Sequence, residues 1–450
     1  MEFSEENYRN LIEDIFKRFP SVQKDGFTAG AYKPGLERMR AFDEYLGFPS
    51  RQFKSIHIAG TNGKGSVANM MASALSNCGL KTGLYTSPHI LDFRERIRVN
   101  GLIPVEYVFK QLASWLPWIE ENNLSFFEIT TGLAFKWFAD SGVDVAVIET
   151  GLGGRLDSTN IIEKPLLTIV TTIGFDHMAL LGCTLPEIAA EKAGIFKSGV
   201  PVLVGEANGE TRPVFEAKAA GFCPLTFAED VEPSLWNRRE DILDAMDLGA
   251  DIQRKNLRTV LAALDLVHTK IGPLDNDKII DGIVHTARNM DFHGRWERLQ
   301  KEPLVIADIG HNAHALQHNF SQLQAMNRPL IIVYGIMADK DLDAIIPLMP
   351  RDATYIFTAP ATPRALPAAE ILSAVQAARP MLNALCIENV ADAVKKALEI
   401  AQKDSVIYIG GSTFVVSEAL PLFNSGYEKN IDIPASCPHW GGGIKRSNNV

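Results

Sequence analysis

Cysteine is scarce in this chain. Five occur in 450 residues, at Cys78, Cys183, Cys223, Cys386 and Cys437, and no two share a C-x-x-C spacing. Scattered single cysteines exclude a small disulfide scaffold and a cysteine-based zinc site, and are expected to be reduced thiols in a cytosol. Long apolar runs are missing too: none approaches the ~20 residues that a membrane helix needs. The opening stretch Met1–Asn10 is acidic and polar, without the basic flank and apolar centre of a signal peptide. A cytoplasmic protein with no membrane partner is expected. Basic charge is in deficit, 44 Lys and Arg against 54 Asp and Glu, for a net −10. That argues against a chain whose main task is coating nucleic acid, although a local basic pocket remains open.

What is present is a full core. Apolar residues make up 46% and charged residues 22%, a balance that excludes a disordered or collagen-like chain. At about 100–200 residues per domain, the length implies two or three domains.

Short Val/Ile/Leu-rich runs recur at Ser55–Ala59, Val143–Ile148, Leu167–Ile173 and Val200–Val204, with Thr82–Tyr85 a further candidate strand. Helical spacing separates them, over Ser66–Cys78, Glu128–Asp140 and Pro186–Phe196. Continuous apolar strands alternating with helices predict an α/β fold with a mainly parallel sheet covered on both faces. The alternation pauses between Gly205 and Asp251, and a helix follows over Ile252–His268. The polar stretch Asn289–Arg295 reads as a crossing between domains. Beyond it a second series places strands near Leu304–Ile309, Leu330–Tyr334, Thr354–Phe357 and Val406–Ile409. The end, from Gly426 to Val450, reads as a frayed tail.

The strongest local signal is Gly60-Thr61-Asn62-Gly63-Lys64-Gly65-Ser66, between a strand and a helix. Glycines let backbone N–H groups turn inward. The helix N-terminus adds partial positive charge, Lys64 adds a full charge, and Ser66 offers a hydroxyl to Mg²⁺. The pattern departs from the usual phosphate loop, because Gly65 separates Lys64 from Ser66.

Other strand ends carry polar groups. Glu149 closes one strand and opens Gly151-Leu152-Gly153-Gly154-Arg155-Leu156-Asp157, where open α/β sheets bind ligands. Glu149 is a candidate Mg²⁺ ligand or an ordinary turn charge. The glycines after it suggest a loop that closes over a substrate. His177, in Gly174-Phe175-Asp176-His177, is a candidate ligand or a structural histidine, since Mg²⁺ prefers oxygen. Ser87, in Thr86-Ser87-Pro88-His89, is an oxygen ligand or part of a turn. Lys192 sits late in a helical stretch, and its residue type alone predicts a solvated surface lysine.

Together the phosphate loop, Ser87-Pro88-His89, Glu149–Asp157, Asp176-His177 and Glu191-Lys192-Ala193-Gly194-Ile195 resemble the folylpolyglutamate and dihydrofolate synthases of the Mur ligase superfamily. Asn256, Gly294-Arg295-Trp296-Glu297 and Asp308-Ile309-Gly310-His311-Asn312 extend the resemblance from about residue 30 to about residue 420. The resemblance implies a phosphate-loop domain with a parallel-rich sheet, followed by a smaller Rossmann-like α/β domain, with ATP enclosed in their cleft. It implies an ATP-binding domain with the folate site over 1–294, the second domain over 298–425, and a flexible tail over 426–450.

By matched position, Gly60, Thr61, Asn62, Gly63, Lys64, Gly65 and Ser66 would hold the phosphates. Asn256, Arg295, Asp308 and His311 would contact the nucleotide. Ser66, Ser87 and Glu149 would surround one Mg²⁺. Glu149, His177 and a carbamylated Lys192 would hold a second. Phe127 would pack on the pterin, beside Arg155, Asp157 and Ser158. Lys64, His177, Lys192 and His311 carry the implied catalytic roles, His311 as a candidate base. The implied partners are folate or dihydropteroate and L-glutamate, with no nucleic acid, on a monomer.

The family's usual Ala-His-Asn-Pro reads Gly310-His311-Asn312-Ala313 here, and loss of the proline is expected to loosen the start of the next helix. The implied reaction is amide formation through an acyl phosphate. The alternatives are a peptidoglycan-type Mur amino-acid ligase, for which little room precedes Gly60, a phosphate-loop NTPase without ligase activity, and a non-catalytic nucleotide-binding scaffold. The NTPase would not need Asp308 and His311. The scaffold would not need a full phosphate and metal set.

Overall fold

The structure, a computed structural model, describes residues 2–21, 25 and 35–423. The tail expected over 426–450 and Cys437 lie outside the described residues. Cys78, Cys183, Cys223 and Cys386 are free thiols. The chain divides into two compact units, one running to Phe292 and one from His293 onward that also takes in Ile90–Asp92. The division falls inside the polar stretch 289–295. Among the described residues, no helix is long and apolar enough to cross a membrane.

The first unit is built on a sheet of seven strands in the order β3-β2-β4-β1-β5-β6-β7. These are β1 Ser55–Ala59, β2 Thr82–Tyr85, β3 Ile97–Val99, β4 Val145–Glu149, β5 Leu167–Val170, β6 Val202–Val204 and β7 Leu225–Phe227. Only the edge pair β2 and β3 runs antiparallel. β1, β4 and β5 are buried along their whole length, as parallel strands covered on both faces must be. Side chains of these strands and of β2 mostly divide between two cores, with Ala59 and Val170 in a third. Ile56, Ile58 and Val147 pack under the helices Lys64–Asn77 and Gln253–Ile271. Tyr85, Ala146 and Ile148 pack under Val105–Glu121 and Phe126–Ser141.

Several boundaries differ from those the sequence predicts. The helix expected from Ser66 begins at Lys64, which puts the lysine in its first turn. β4 ends on Glu149 itself, and the helix expected at Pro186–Phe196 is Leu185–Lys192 followed by a 3-10 turn, Ala193–Ile195. The stretch 205–251 holds the helix Arg212–Ala219, β7 and the helix Arg239–Ala245. Those elements are three to eight residues long, too short for a periodic signal to stand out.

The second unit has a sheet of six strands in the order β12-β11-β10-β13-β9-β8. They are β8 Glu297–Lys301, β9 Leu304–Asp308, β10 Leu330–Tyr334, β11 Ala353–Phe357, β12 Asn383–Cys386 and β13 Val406–Gly410. Five run parallel, and β8 pairs antiparallel with β9. The helix Val390–Ile400 seats Val390, Ala393, Val394 and Ala397 on Val333, Ile356 and Ile407. The helix after His311 starts at Ala313 in spite of the missing proline. Asn312 caps it by accepting from the Ala315 amide at 2.9 Å, which satisfies one of the free N–H groups of the first turn.

Candidate active site

β1, β4 and β5 end side by side. Ile58 is level with Glu149, and Ala59 with Val170. The phosphate loop therefore leaves the sheet beside an acidic strand end, at the edge where open α/β sheets bind ligands. Thr171 and Thr172 brace the loop from behind. Their hydroxyls donate to the Asn62 carbonyl at 2.6 and 3.2 Å, and the Thr61 amide donates to the Thr172 carbonyl at 2.7 Å. Gly60 has φ +150°, and a Cβ there would lie 1.9 Å from the Thr171 Oγ1, so only glycine lets the loop rest on its brace.

The helix Lys64–Asn77 starts from Gly63 with no side-chain cap. An uncapped helix start of this kind favours an anion. Asn256 is buried and packs against Gly63. It donates to the Gln253 Oε1 at 2.8 Å, and Gln253 reaches the buried Ser66 hydroxyl at 3.5 Å. Gly65 is held by the Asn69 side chain, which donates to its carbonyl at 2.7 Å.

Lys192 is not the surface lysine that its residue type predicts. It is 3% exposed, and its Nζ donates to the Gly60 carbonyl at 2.9 Å. Lys64 Nζ donates to the same carbonyl at 3.1 Å and to the Thr61 carbonyl at 3.2 Å. Burial, then repulsion from Lys64, pulls the Lys192 pKa down to about 7.

Glu149 is 4% exposed, and its Oε2 accepts the Ser87 amide at 3.1 Å. His177 has a left-handed backbone, φ +53°, with its ring Nδ1 3.6 Å from Asp176. Among the described residues, no three His, Cys, Asp or Glu side chains gather closely enough to hold a metal ion. The donors here are mainly hydroxyl and carboxylate oxygens, which suit a hard cation that completes its shell with phosphate oxygens.

Phe127 is placed by its helix start. Ser125 and Glu128 form a capping box on Phe126–Ser141, and Arg38 holds Glu128 at 3.1 Å. The Phe127 ring lies against Gly151, where a Cβ would come within 2.5 Å, and 5.9 Å from the Tyr85 ring. Arg155 pairs with Glu191 at 2.8 Å, which ties the glycine loop to the helix that carries Lys192. Asp157 turns inward. Its Oδ2 accepts the Gly151 and Leu152 amides at 2.8 and 2.9 Å, and its Oδ1 accepts the Thr159 amide and hydroxyl at 3.0 and 2.5 Å. Ser158, half-buried, begins the 3-10 turn that follows.

Sequence reasoning missed Arg96, a buried guanidinium that donates to the His89 Nδ1 at 2.8 Å and lies over the Phe126 ring. Burial lowers its pKa to about 10. It also missed His57, fully buried in β1. Neither sits in a glycine-rich or repeated pattern that would have marked it.

In the second unit, Asp308 accepts from the Trp296 amide at 2.9 Å, the Gly310 amide at 2.8 Å and the Asn319 side chain at 2.7 Å. His311 Nδ1 lies 3.1 Å from the Ile309 carbonyl, and an Arg295 Nη1 donates to the Gly294 carbonyl at 3.2 Å.

Both α/β units match Mur ligase domains. The Mur ligase middle domain matches residues 58–208, and the Mur ligase glutamate ligase domain matches residues 294–413. Within that class, the chain belongs to the dihydrofolate synthase/folylpolyglutamate synthase family. The Bacillus subtilis dihydrofolate synthase/folylpolyglutamate synthase is 33% identical over 415 residues, covering 86% of this chain and 94% of that protein. Mycobacterium tuberculosis folylpolyglutamate synthase complexed with ADP has a TM-score of 0.81 at 26% identity, covering 94% of this chain and 99% of that one. E. coli FolC in complex with DHPP and ADP has a TM-score of 0.74 at 26% identity, with 89% and 95% covered. The Yersinia pestis bifunctional enzyme complexed with AMPPNP and Mn ion has a TM-score of 0.75 at 26% identity, with 88% and 95% covered.

Proposed function

We propose that this chain is an ATP-dependent ligase that joins L-glutamate to the carboxylate of a dihydropteroate or folate. The observation that carries the proposal is the meeting of Lys64 and Lys192 at the Gly60 carbonyl, beside an uncapped helix start and the acidic end of β4. The reaction brings two anions together. A substrate carboxylate oxygen attacks the γ-phosphorus of ATP, ADP leaves, and an acyl phosphate forms. The amine of glutamate then attacks the acyl carbon, and phosphate leaves.

Lys64 and the loop amides from Gly60 to Ser66 would hold the phosphates and spread their charge. Phe127 would pack on the pterin, with Arg155, Asp157 and Ser158 shaping the wall beside it. Divalent cations, two Mg²⁺ in this proposal, would be held by Ser66, Ser87, Glu149, His177 and a carbamylated Lys192, and when bound they supply charge neutralisation to the phosphates. Asn256 from the first unit, and Arg295, Asp308 and His311 from the second, are proposed nucleotide contacts. His311 is also the proposed base for the amine. ATP binding and folate binding are assigned to 1–294, and the Rossmann-like partner domain to 298–425. The protein is proposed to act as a cytoplasmic monomer.

ADP release measured with dihydropteroate and with tetrahydrofolate, each with and without L-glutamate, tests the proposal. Amide product that needs both ATP and glutamate supports it. ATP hydrolysis indifferent to both acceptors, or turnover of a nucleotide-sugar acceptor in their place, overturns it.

A further inference from the structure

We infer that His57 is a positioning residue: through Thr159 and Asp157, its imidazole holds the glycine loop after Glu149 in place against the phosphate-loop strand. The chain of contacts is continuous and lies within one unit. His57 sits at the centre of β1, two residues before Ala59, and is fully buried. Its Nε2 is 2.8 Å from the Thr159 Oγ1. Thr159 Oγ1 in turn donates to Asp157 Oδ1 at 2.5 Å. The other carboxylate oxygen of Asp157 accepts the amides of Gly151 and Leu152.

The proton directions follow from the inventory of donors. A threonine hydroxyl has one hydrogen. Thr159 gives its hydrogen to Asp157, so it can only accept from the histidine. His57 must therefore be the Nε2–H tautomer, with Nδ1 bare, and among the described residues the buried Nδ1 has no hydrogen-bond partner. A buried ring with one unsatisfied nitrogen carries a cost, and the hydrogen bond made by its other nitrogen accounts for its place in this apolar strand. Protonation would put a cation in a fully buried position near Lys197. Burial first, and that ammonium second, hold the His57 pKa down at about 3. The imidazole is thus a fixed neutral donor at any working pH.

Asp157 is buried as well, and burial raises its pKa, an effect that the hydroxyl and the three amides donating to it offset only in part. Its carboxylate is anchored at one oxygen by Thr159 and holds the loop with the other. Gly151, the first residue so held, is the one against which the Phe127 ring rests. The relay therefore fixes the wall of the aromatic pocket to β1, the strand that delivers the phosphate loop. On the ligase reading, it holds the wall on which the pterin substrate would bind.

The test compares His57→Phe, which removes the donor, with His57→Gln, whose Nε2 can replace it, in the full-length chain. Two quantities are read: hydrogen exchange at the Gly151 and Leu152 amides without ligand, and the KM values for pteroate or folate and for ATP. His57→Phe is expected to raise exchange at both amides about tenfold. It should raise the KM for the pterin substrate about tenfold, with the KM for ATP within about twofold. His57→Gln should bring both readings most of the way back. Equal exchange in wild type and His57→Phe, or His57→Gln behaving like His57→Phe, overturns the inference.

If His57→Phe fails to fold, Thr159→Val against Thr159→Ser makes the same comparison one link along. Loss in the valine variant and retention in the serine variant supports the relay, and equal behaviour of the two refutes it. The exchange arm uses no ligand. It stands even if wild-type protein shows no ligase activity, which would sink the functional proposal alone.

Discussion

The ammonium groups of Lys64 and Lys192 share one acceptor, the carbonyl oxygen of Gly60, at 3.1 and 2.9 Å. Burial disfavours the Lys192 cation first, and repulsion from Lys64 adds to it. Lys192 is drawn down to about 7 while attached to the phosphate loop. A neutral amine there at pH 8 can attack CO₂, forming an N–C bond and releasing a proton to solvent, and the carbamate that results is an anionic oxygen ligand in place of an amine.

The proposed carbamate on Lys192 has a direct test. ¹³C NMR of the protein in ¹³C-bicarbonate should show one carbamate signal that is absent from Lys192→Met. The variant should lose about a hundredfold or more in turnover, in line with removal of a charge-stabilising group, and short carboxylic acids should restore part of it. A fully active wild type with an unmodified amine would refute the modification.

The same shift predicts a pH dependence of folding for unmodified protein. The folded pKa lies below the unfolded value of 10.5, so between about pH 7 and 10 the unfolded chain binds more protons and stability rises with pH. Denaturant melts in bicarbonate-free buffer should show wild type gaining on Lys192→Met across that window, with a constant difference below it. A difference that stays flat from pH 7 to 10 would contradict the burial of Lys192.

Glu149 ends β4 with one oxygen on the Ser87 amide. Glu149→Gln keeps the size and an acceptor for Ser87 and removes the charge. ADP formation should fall by about two orders of magnitude or more, the effect of several kcal/mol of lost charge stabilisation. The melting curve should move little. Unchanged turnover in this variant would remove Glu149 from the cation site.

Phe127 lies on Gly151 and beside Tyr85. Phe127→Ala should raise the KM for the pterin substrate about tenfold, because a stacked aromatic contact and its buried area are lost together. The KM for ATP should hold. A rise in both would place Phe127 elsewhere in the chemistry.

How far the sequence carries the account depends on how local each feature is. The phosphate loop is legible because its glycines and lysine are contiguous and lie between a strand and a helix. The alternation of apolar strands with helices shows the α/β class for the same reason. Lys192 is different. Its burial depends on the helix Leu185–Lys192 packing onto Gly60, a contact across 132 positions, and no window on the sequence contains both. His57 hides in an apolar strand where a polar residue has no pattern to break. Asp157 is visible as part of the substrate loop, but its carboxylate is spent on that loop's own amides and on Thr159. The short elements between Gly205 and Asp251 are too brief for periodicity to reveal. Asn312 offsets the missing proline through a capping geometry that becomes plain only once the helix start is known.

The central claim is that a carboxylate is made reactive by taking a phosphoryl group at this loop. The most direct measurement uses pteroate or folate labelled with ¹⁸O in the reacting carboxylate, turned over with ATP and L-glutamate, with the released phosphate read by mass spectrometry. Transfer of one ¹⁸O from the carboxylate to phosphate in each turnover is the predicted result. Phosphate free of the label, alongside normal amide formation, would contradict the account.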